Sequence, residues 1–239
     1  MHPLILSILC AAVAAATAPQ PEADTLTELD KVLAQIDARA QGIHSLRATF
    51  TQVDFDPIFE EQDTSSGTVR LVRTQPGGAE APPIYQIRFD YMEPERSVTI
   101  VDASRVIVWT PEMEAPEESY LIDDTKMQTL LAGFISTERL REHYDVMIAT
   151  QSSHTVTLRL VPKSEQARQQ FREMRITFSK RTWLPTTIYH FKLNGQNVTF
   201  TFDNVKLNTT IPGDVFTVGS LASQVQEAQT ARSRASARQ

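Results

Sequence analysis

Apolar positions along the chain follow two periods. Over residues 25–41 they recur at helical spacing. Leu26, Leu29, Val32, Leu33 and Ile36 share one face, Thr25 and Glu28 stand at capping-box spacing, and Gly42 follows where a helix would end. From Leu46 the period drops to two. Leu46, Ala48 and Phe50 alternate with Arg47, Thr49 and Thr51; Val69 and Leu71 with Thr68 and Arg70; Tyr85, Ile87, Phe89 and Tyr91 with Gln86, Arg88 and Asp90. The same signal predicts strands over 96–101, 105–110 and 118–122, and again over 144–149, 155–160, 172–179, 186–192 and 197–203. Between the two series, residues 125–143 read as two short helices around Gly133, with Met127, Leu130, Leu131 and Phe134 as their apolar set. A small helix is expected over 164–170, and Asn194-Gly195 signals a two-residue hairpin.

About eleven consecutive strands with few helices, alternating rather than solidly apolar, predict an antiparallel meander with one wet face. The fold class expected is mainly β within α+β: a single strongly curved antiparallel sheet, an incomplete barrel of about eleven strands, covered by a few short helices. Its inner face would carry Phe50, Ile87, Phe89, Ile176 and Phe178. A sheet of this strand number leaves room inside that few helices can fill, so an apolar cavity is expected.

Composition narrows the setting. The 239 residues are 41% hydrophobic and carry 23 basic against 29 acidic side chains, a net charge of −6. That is ordinary for a soluble domain and, without basic blocks, argues against nucleic acid as a partner. Residues 4–18 are uncharged and apolar, then small, the length of an export signal and too short to span a bilayer. Residues 1–18 are therefore expected to be a signal peptide, cleaved between 16 and 18, which exports the mature chain. The single cysteine, Cys10, would leave with it. Residues 19–218 form the expected domain, and 219–239, rich in Ala, Ser and Gln with three arginines, a polar and disordered tail. The Gly/Pro-rich stretch 75–83 reads as a long solvent loop.

Motifs for chemistry are missing. The sequence has no Gly-x-Ser-x-Gly, HExxH, phosphate-binding loop or dinucleotide fingerprint, so neither an enzyme site nor a cofactor is expected. His44, His143, His154 and His190 stand far apart without ligand spacing and read as surface or edge residues, leaving no metal site. One charge is out of pattern. Arg73 shares parity with Val69 and Leu71, so it projects from the inner face at a strand end. There it is either a rim arginine reaching for water or a polar latch donating to backbone carbonyls of a covering helix or loop. Arg88 shares parity with Gln86 and Asp90 and is expected to face water, whereas Phe89 points inward.

In this order and spacing the sequence resembles the LolA family of periplasmic outer-membrane lipoprotein carriers. The residues that carry the resemblance are the helix from Leu26 to Ile36, the segments Leu46-Arg47-Ala48-Thr49-Phe50-Thr51-Gln52 and Gly67-Thr68-Val69-Arg70-Leu71-Val72-Arg73, and Arg88-Phe89-Asp90-Tyr91 with Glu93-Pro94. They continue through Val101-Asp102, Val108-Trp109, Leu130-Leu131-Ala132-Gly133, Phe202-Asp203-Asn204-Val205-Lys206-Leu207-Asn208, and Pro212 to Phe216. The resemblance implies a carrier of lipoprotein acyl chains or other lipid chains, loaded by an inner-membrane ATP-driven lipoprotein-releasing transporter and unloaded at the outer membrane, with or without a receptor there. It implies a monomer, with Arg73 as the latch, Phe89 and Phe50 in the cavity together with Trp109, and a lid around Leu130, Leu131 and Phe134. A regulatory module sensing lipids or lipoproteins on the same fold is the alternative. The chain departs from the family pattern where Thr74 rather than proline follows Arg73, where the next loop is lengthened by roughly ten residues, and where Ala103 replaces a glycine after Asp102.

Overall fold

The computed structural model describes residues 26–74, 84–102, 105–113, 115–120, 137–221 and 230. The expected signal segment, the 75–83 loop and the apolar set Met127, Leu130, Leu131 and Phe134 lie outside them. Among the described residues, helix α1 spans Glu28–Gln41. Strands β1 (Ser45–Asp56), β2 (Glu61–Thr74), β3 (Ile84–Glu93), β4 (Ser97–Val101), β5 (Arg105–Trp109) and β6 (Glu117–Tyr120) follow. Helix α2 (Thr137–His143) then leads into β7 (Tyr144–Gln151) and β8 (Thr155–Pro162). A single turn of helix, α3 (Glu165–Arg168), precedes β9 (Phe171–Ser179), β10 (Pro185–Lys192) and β11 (Asn197–Leu207). Two 3-10 turns, Gly213–Phe216 and Val218–Leu221, follow β11.

All eleven strands join one antiparallel sheet in the order β6-β5-β4-β3-β2-β1-β11-β10-β9-β8-β7. The first and last strands pair, Leu46 opposite Leu207 and Phe55 opposite Asn197, while β6 and β7 remain as edges, so the sheet is not closed. Right-handed twist summed over so many strands curls it about one face. Cross-strand partners lie on the same face. The register Ala48, Val69, Phe89 on one side and Leu158, Ile176, Ile188, Phe200 on the other therefore defines a continuous apolar face. Helix α1 lies on it, with Val32, Leu33 and Ile36 in the main core beside Leu46, Phe50, Phe89, Leu158 and Ile176.

The helix starts two residues later than its periodicity predicts. Thr27, not Thr25, is the cap: its hydroxyl accepts the Asp30 N–H at 3.1 Å and its own N–H is accepted by the Asp30 carboxylate at 3.1 Å. Asp30 reaches back across one turn as well as the expected Glu28 would, and this leaves Leu26 outside the helix and exposed. Asp30 also takes a bond from Arg141 of α2, and Asp37 takes two from Thr137, so the two helices are joined by polar contacts. The β10–β11 hairpin also differs from expectation. Lys192 pairs with Gln196, so the loop has three residues, with Gly195 left-handed at φ 87°, rather than two.

A larger correction concerns the supposedly wet face. Val98, Ile100, Ile107 and Trp109 form a second apolar cluster with Phe216 and Leu221, on the side of β3–β5 away from the main core. The two 3-10 turns cover that side. Leu221, assigned to the tail by composition, is fully buried. Arg88, expected in water, is only 4% exposed beneath this cover. Its Nε and Nη2 donate to one Asp90 oxygen at 2.8 and 2.7 Å, and its Nη1 donates to the Val215 carbonyl at 2.9 Å. The other Asp90 oxygen accepts from Arg70 at 2.8 Å.

Candidate functional site

The main-core face is richest in aromatic side chains where β11, β1, β2 and β3 lie side by side. Phe50 stands at the centre, its ring centroid 5.4 Å from Phe89 and 5.0 Å from Tyr91, both edge-on, and 6.2 Å from Phe200. Phe89 lies 6.2 Å from Phe200, which stacks on Phe202 at 6.4 Å. Gly67 makes this possible. It sits opposite Phe50 in the β1–β2 register, and a Cβ there would stand 3.0 Å from the Phe50 ring and 2.0 Å from the Asp90 carbonyl oxygen. Phe50 and Phe89 are both buried under the cover that includes α1.

The polar groups on this face are mostly neutral. The Tyr91 hydroxyl donates to Gln52 Oε1 at 2.7 Å, and Gln52 in turn donates to Asp54. Burial, with the nearby Asp54 charge, pushes the Tyr91 phenol up to about 12. His190, read from sequence as a surface or edge residue, is on the central strand β10 with its side chain directed into this face. Its ring lies 4.7 Å from Phe171, and its buried Nε2 has no hydrogen-bond partner among the described residues. Burial, then Lys192, holds it down at about 4. Strand alternation carries only a faint signal of this inward histidine: it shares parity with the buried Ile188, but Tyr189 and Phe191 on the opposite face are apolar too.

Arg73 closes the opposite end of the face. As its parity requires, it continues the Val69, Leu71 row, and its Nη1 donates to the carbonyl of Gln41, the last residue of α1, at 3.2 Å. Helix C-terminal carbonyls lack intrahelical donors and carry the negative end of the dipole, so a guanidinium is a fitting partner. Asn208, which the sequence reading did not single out for a site, works beside it. Its side chain accepts from the His44 N–H and donates to the Gly42 carbonyl, both at 2.9 Å, tying the link from α1 to β1 to the end of β11.

The structure thus brings Phe50 and Phe89 together and places Arg73 on the covering helix. It does not bring Trp109 to them. Trp109 is opposite Val98, which is opposite Asp90, so it lies on the other face in the second cluster, where its buried indole N–H finds no acceptor among the described residues. Both faces of β5 are apolar in sequence, Val106 and Val108 on one and Ile107 and Trp109 on the other, and that run was the available sign of a cover on each side. Leu130, Leu131 and Phe134 fall outside the described residues. No group of three or more His, Cys, Asp or Glu able to hold a metal occurs among the described residues.

Solved structures of related architecture include a putative outer membrane lipoprotein-sorting protein domain from Vibrio parahaemolyticus, at 10% identity over 80% of this chain and 97% of that one, TM-score 0.47. A DUF1329 family protein from Desulfovibrio piger matches at 11% identity over 80% and 96%, TM-score 0.46. The lipoprotein LppX of Mycobacterium tuberculosis matches at 11% over 76% and 97%, TM-score 0.40. No curated protein matches the sequence. The family model described as outer membrane lipoprotein carrier protein LolA matches residues 41–219, from the last residue of α1 through every strand of the sheet to the second 3-10 turn. By that match the chain belongs to the LolA outer membrane lipoprotein carrier family.

Proposed function

We propose that this protein is a non-enzymatic periplasmic carrier that receives the acyl chains of lipoproteins on its aromatic sheet face and shuttles them from the inner to the outer membrane. The observation that carries this reading is the Arg73 bond to the Gln41 carbonyl, which fastens a helix over that face at one point. Phe50 and Phe89 are buried in this arrangement. An acyl chain can reach them only if α1 and its neighbours move outward, and the arginine bond is among the contacts that such movement breaks.

The energetics fit a hand-over protein. Burying an acyl chain gains about 0.8 kcal/mol per methylene relative to water, but a bilayer offers the same gain. A carrier therefore cannot extract cargo unaided, consistent with loading by an ATP-driven transporter in the inner membrane and release at the outer one. A hydrogen bond from a charged donor is worth about 1.5–3 kcal/mol when shielded, and the lower end applies to a half-buried arginine. That is enough to favour the closed form when empty and little enough for incoming chains to displace.

Replacing Arg73 by leucine is expected to favour the open form while leaving the fold intact. Mass spectrometry of organic extracts from protein purified from its native periplasm checks this. Acylated lipoprotein should be recovered, enriched in Arg73→Leu. Free lipids alone would change the cargo, and empty extracts from both proteins would overturn the carrier reading.

A further inference from the structure

Two hairpins leave the sheet side by side at the end away from Arg73. The β1–β2 turn occupies residues 57–60 and the β10–β11 loop residues 193–195, brought together by the pairing of Phe55 with Asn197. They are joined to one another. Gln196 Nε2 donates to one Asp56 oxygen at 2.5 Å, while the other accepts the Ile58 N–H at 2.8 Å. These bonds hold the Asp56 carboxyl below the usual carboxylate range. Pro57, its own φ fixed by the ring, lies against Gly195, its Cγ 3.1 Å from where a Cβ would stand. The turn closes with Glu60 in the left-handed region at φ 54°.

What this built tip presents is apolar. Ile58 is 69% exposed, Phe59 71% and Leu193 59%. Turns draw on Gly, Pro, Asn, Asp and Ser for reasons of geometry, and no such reason calls for Ile or Phe. Around them stand Asp54, Asp56, Glu60, Glu61 and Asp63, with no lysine or arginine between Arg47 and Arg70, while the β10–β11 hairpin brings Lys192, beside Leu193, close enough to help hold Asp56 ionised, so the tip is acidic overall. Glu61 and Asp63 have a local use. β3 pairs with β2 only as far as Ser66, so the β2 edge beyond it has no strand partner among the described residues, and charge there discourages edge-to-edge association. That accounts for Glu61 and Asp63 and leaves Asp54, Glu60 and the three apolar side chains unexplained.

We propose that the joined hairpin tips are a docking surface for an envelope protein that presents an apolar pocket rimmed by lysine and arginine. The charge decides against a lipid surface, since anionic leaflets attract basic segments and repel a run of five carboxylates. A basic-rimmed protein pocket satisfies both features. Phe59 and Ile58 act as anchors, and the acidic ring steers the encounter. A tip already held by Asp56 and Pro57 has little freedom left to lose on binding. The inference rests on the envelope location of the carrier reading and adds that docking is made at the end of the sheet away from Arg73, so the two are separable by mutation.

The test is sedimentation of the whole mature protein with vesicles of its own bacterium's inner membrane, periplasmic face outward, either intact or shaved with trypsin. Liposomes of phosphatidylethanolamine and phosphatidylglycerol serve as the protein-free control. Binding to intact vesicles is expected to fall roughly 10-fold in Ile58→Ser/Phe59→Ser, to weaken in Glu60→Lys/Glu61→Lys and at about 0.5 M salt, and to vanish on shaving. Equal binding by the Ile58/Phe59 variant, stronger binding by the charge-reversed one, or no vesicle binding by the parent overturns the proposal. Binding that survives shaving and appears on liposomes makes the bilayer the partner instead. Should the extracts hold no acyl chain while tip-dependent binding persists, the carrier reading fails and the docking surface stands; cargo with tip-independent binding fails only the docking surface.

Discussion

Two buried charged or titratable residues give the most direct handles on stability. Asp90 takes two bonds from Arg88, which is nearly inaccessible to water. Removing one partner of a buried ion pair costs about 3–5 kcal/mol, whereas replacing both partners by apolar groups is often close to neutral. Urea unfolding should therefore show Asp90→Asn as severely destabilised and Asp90→Leu/Arg88→Met as partly restored; equal losses in both would mean that the pair is not what holds the 3-10 turns in place. His190 sets a pH dependence. Its value falls from 6.5 to about 4 on folding, so between these limits the unfolded chain binds the extra proton and stability drops as the pH falls. With partial screening the loss from pH 7 to 4 is about 2–3 kcal/mol. Thermal melts across this range should be flatter in His190→Gln; an unchanged slope would place the proton elsewhere. The carboxyl of Asp30, held down at about 2 chiefly by its bond with Thr27, contributes above its ordinary 3.8 and is lost only below that, outside this window.

Among the elements, β2 and β3 meet at Gly67, where there is no room for a side chain. A methyl group there would collide with the Asp90 carbonyl, so Gly67→Ala must shift β3 together with Phe89. Overpacking of this kind costs about 1–3 kcal/mol. Denaturant unfolding should show that loss, and near-ultraviolet dichroism a disturbed aromatic cluster; a variant indistinguishable from the parent would show that the strands have slack. The strands themselves were legible from sequence because alternation is a local property, and all eleven were found, although β1 and β2 run well past the quoted alternation toward their shared turn. Arg73 was legible for the same reason: two apolar neighbours of equal parity fix its face. Arg88 was misread by the same rule. Its partner Val215 lies 127 residues away, and no local pattern announces that a distant segment covers the second face. Trp109 was misassigned with it, since it shares that face. The joined hairpin tips escaped notice because Pro57 to Glu60 carry no turn signature beyond the proline, and Asp56 meets Gln196 only through the pairing of β1 with β11.

At the scale of the whole molecule, the sheet is wound so that its edges come from the middle of the chain and its centre from the ends. β6 and β7, consecutive in sequence, are the two borders, and β1 and β11 form the central seam. The aromatic face lies across that seam, with Phe50 opposite Phe202, so the candidate site is complete only when both ends of the domain are in place. The covers obey a similar division. Helices α1 and α2 serve one face, and the 3-10 turns after β11 serve the other, which ties Phe89 and Arg88 on the same strand to two separate apolar clusters. The seam also governs how such a chain reaches its native state. A polypeptide emerging from its amino terminus exposes one border of β1 for as long as it takes the next ten strands to appear, with Leu46 waiting for Leu207. Long-range closure of this kind is slow, and an unsatisfied strand border is where chains aggregate. Assembly is thus committed only at the last strand, and truncation inside β11 would leave not a shortened barrel but two adhesive half-sheets.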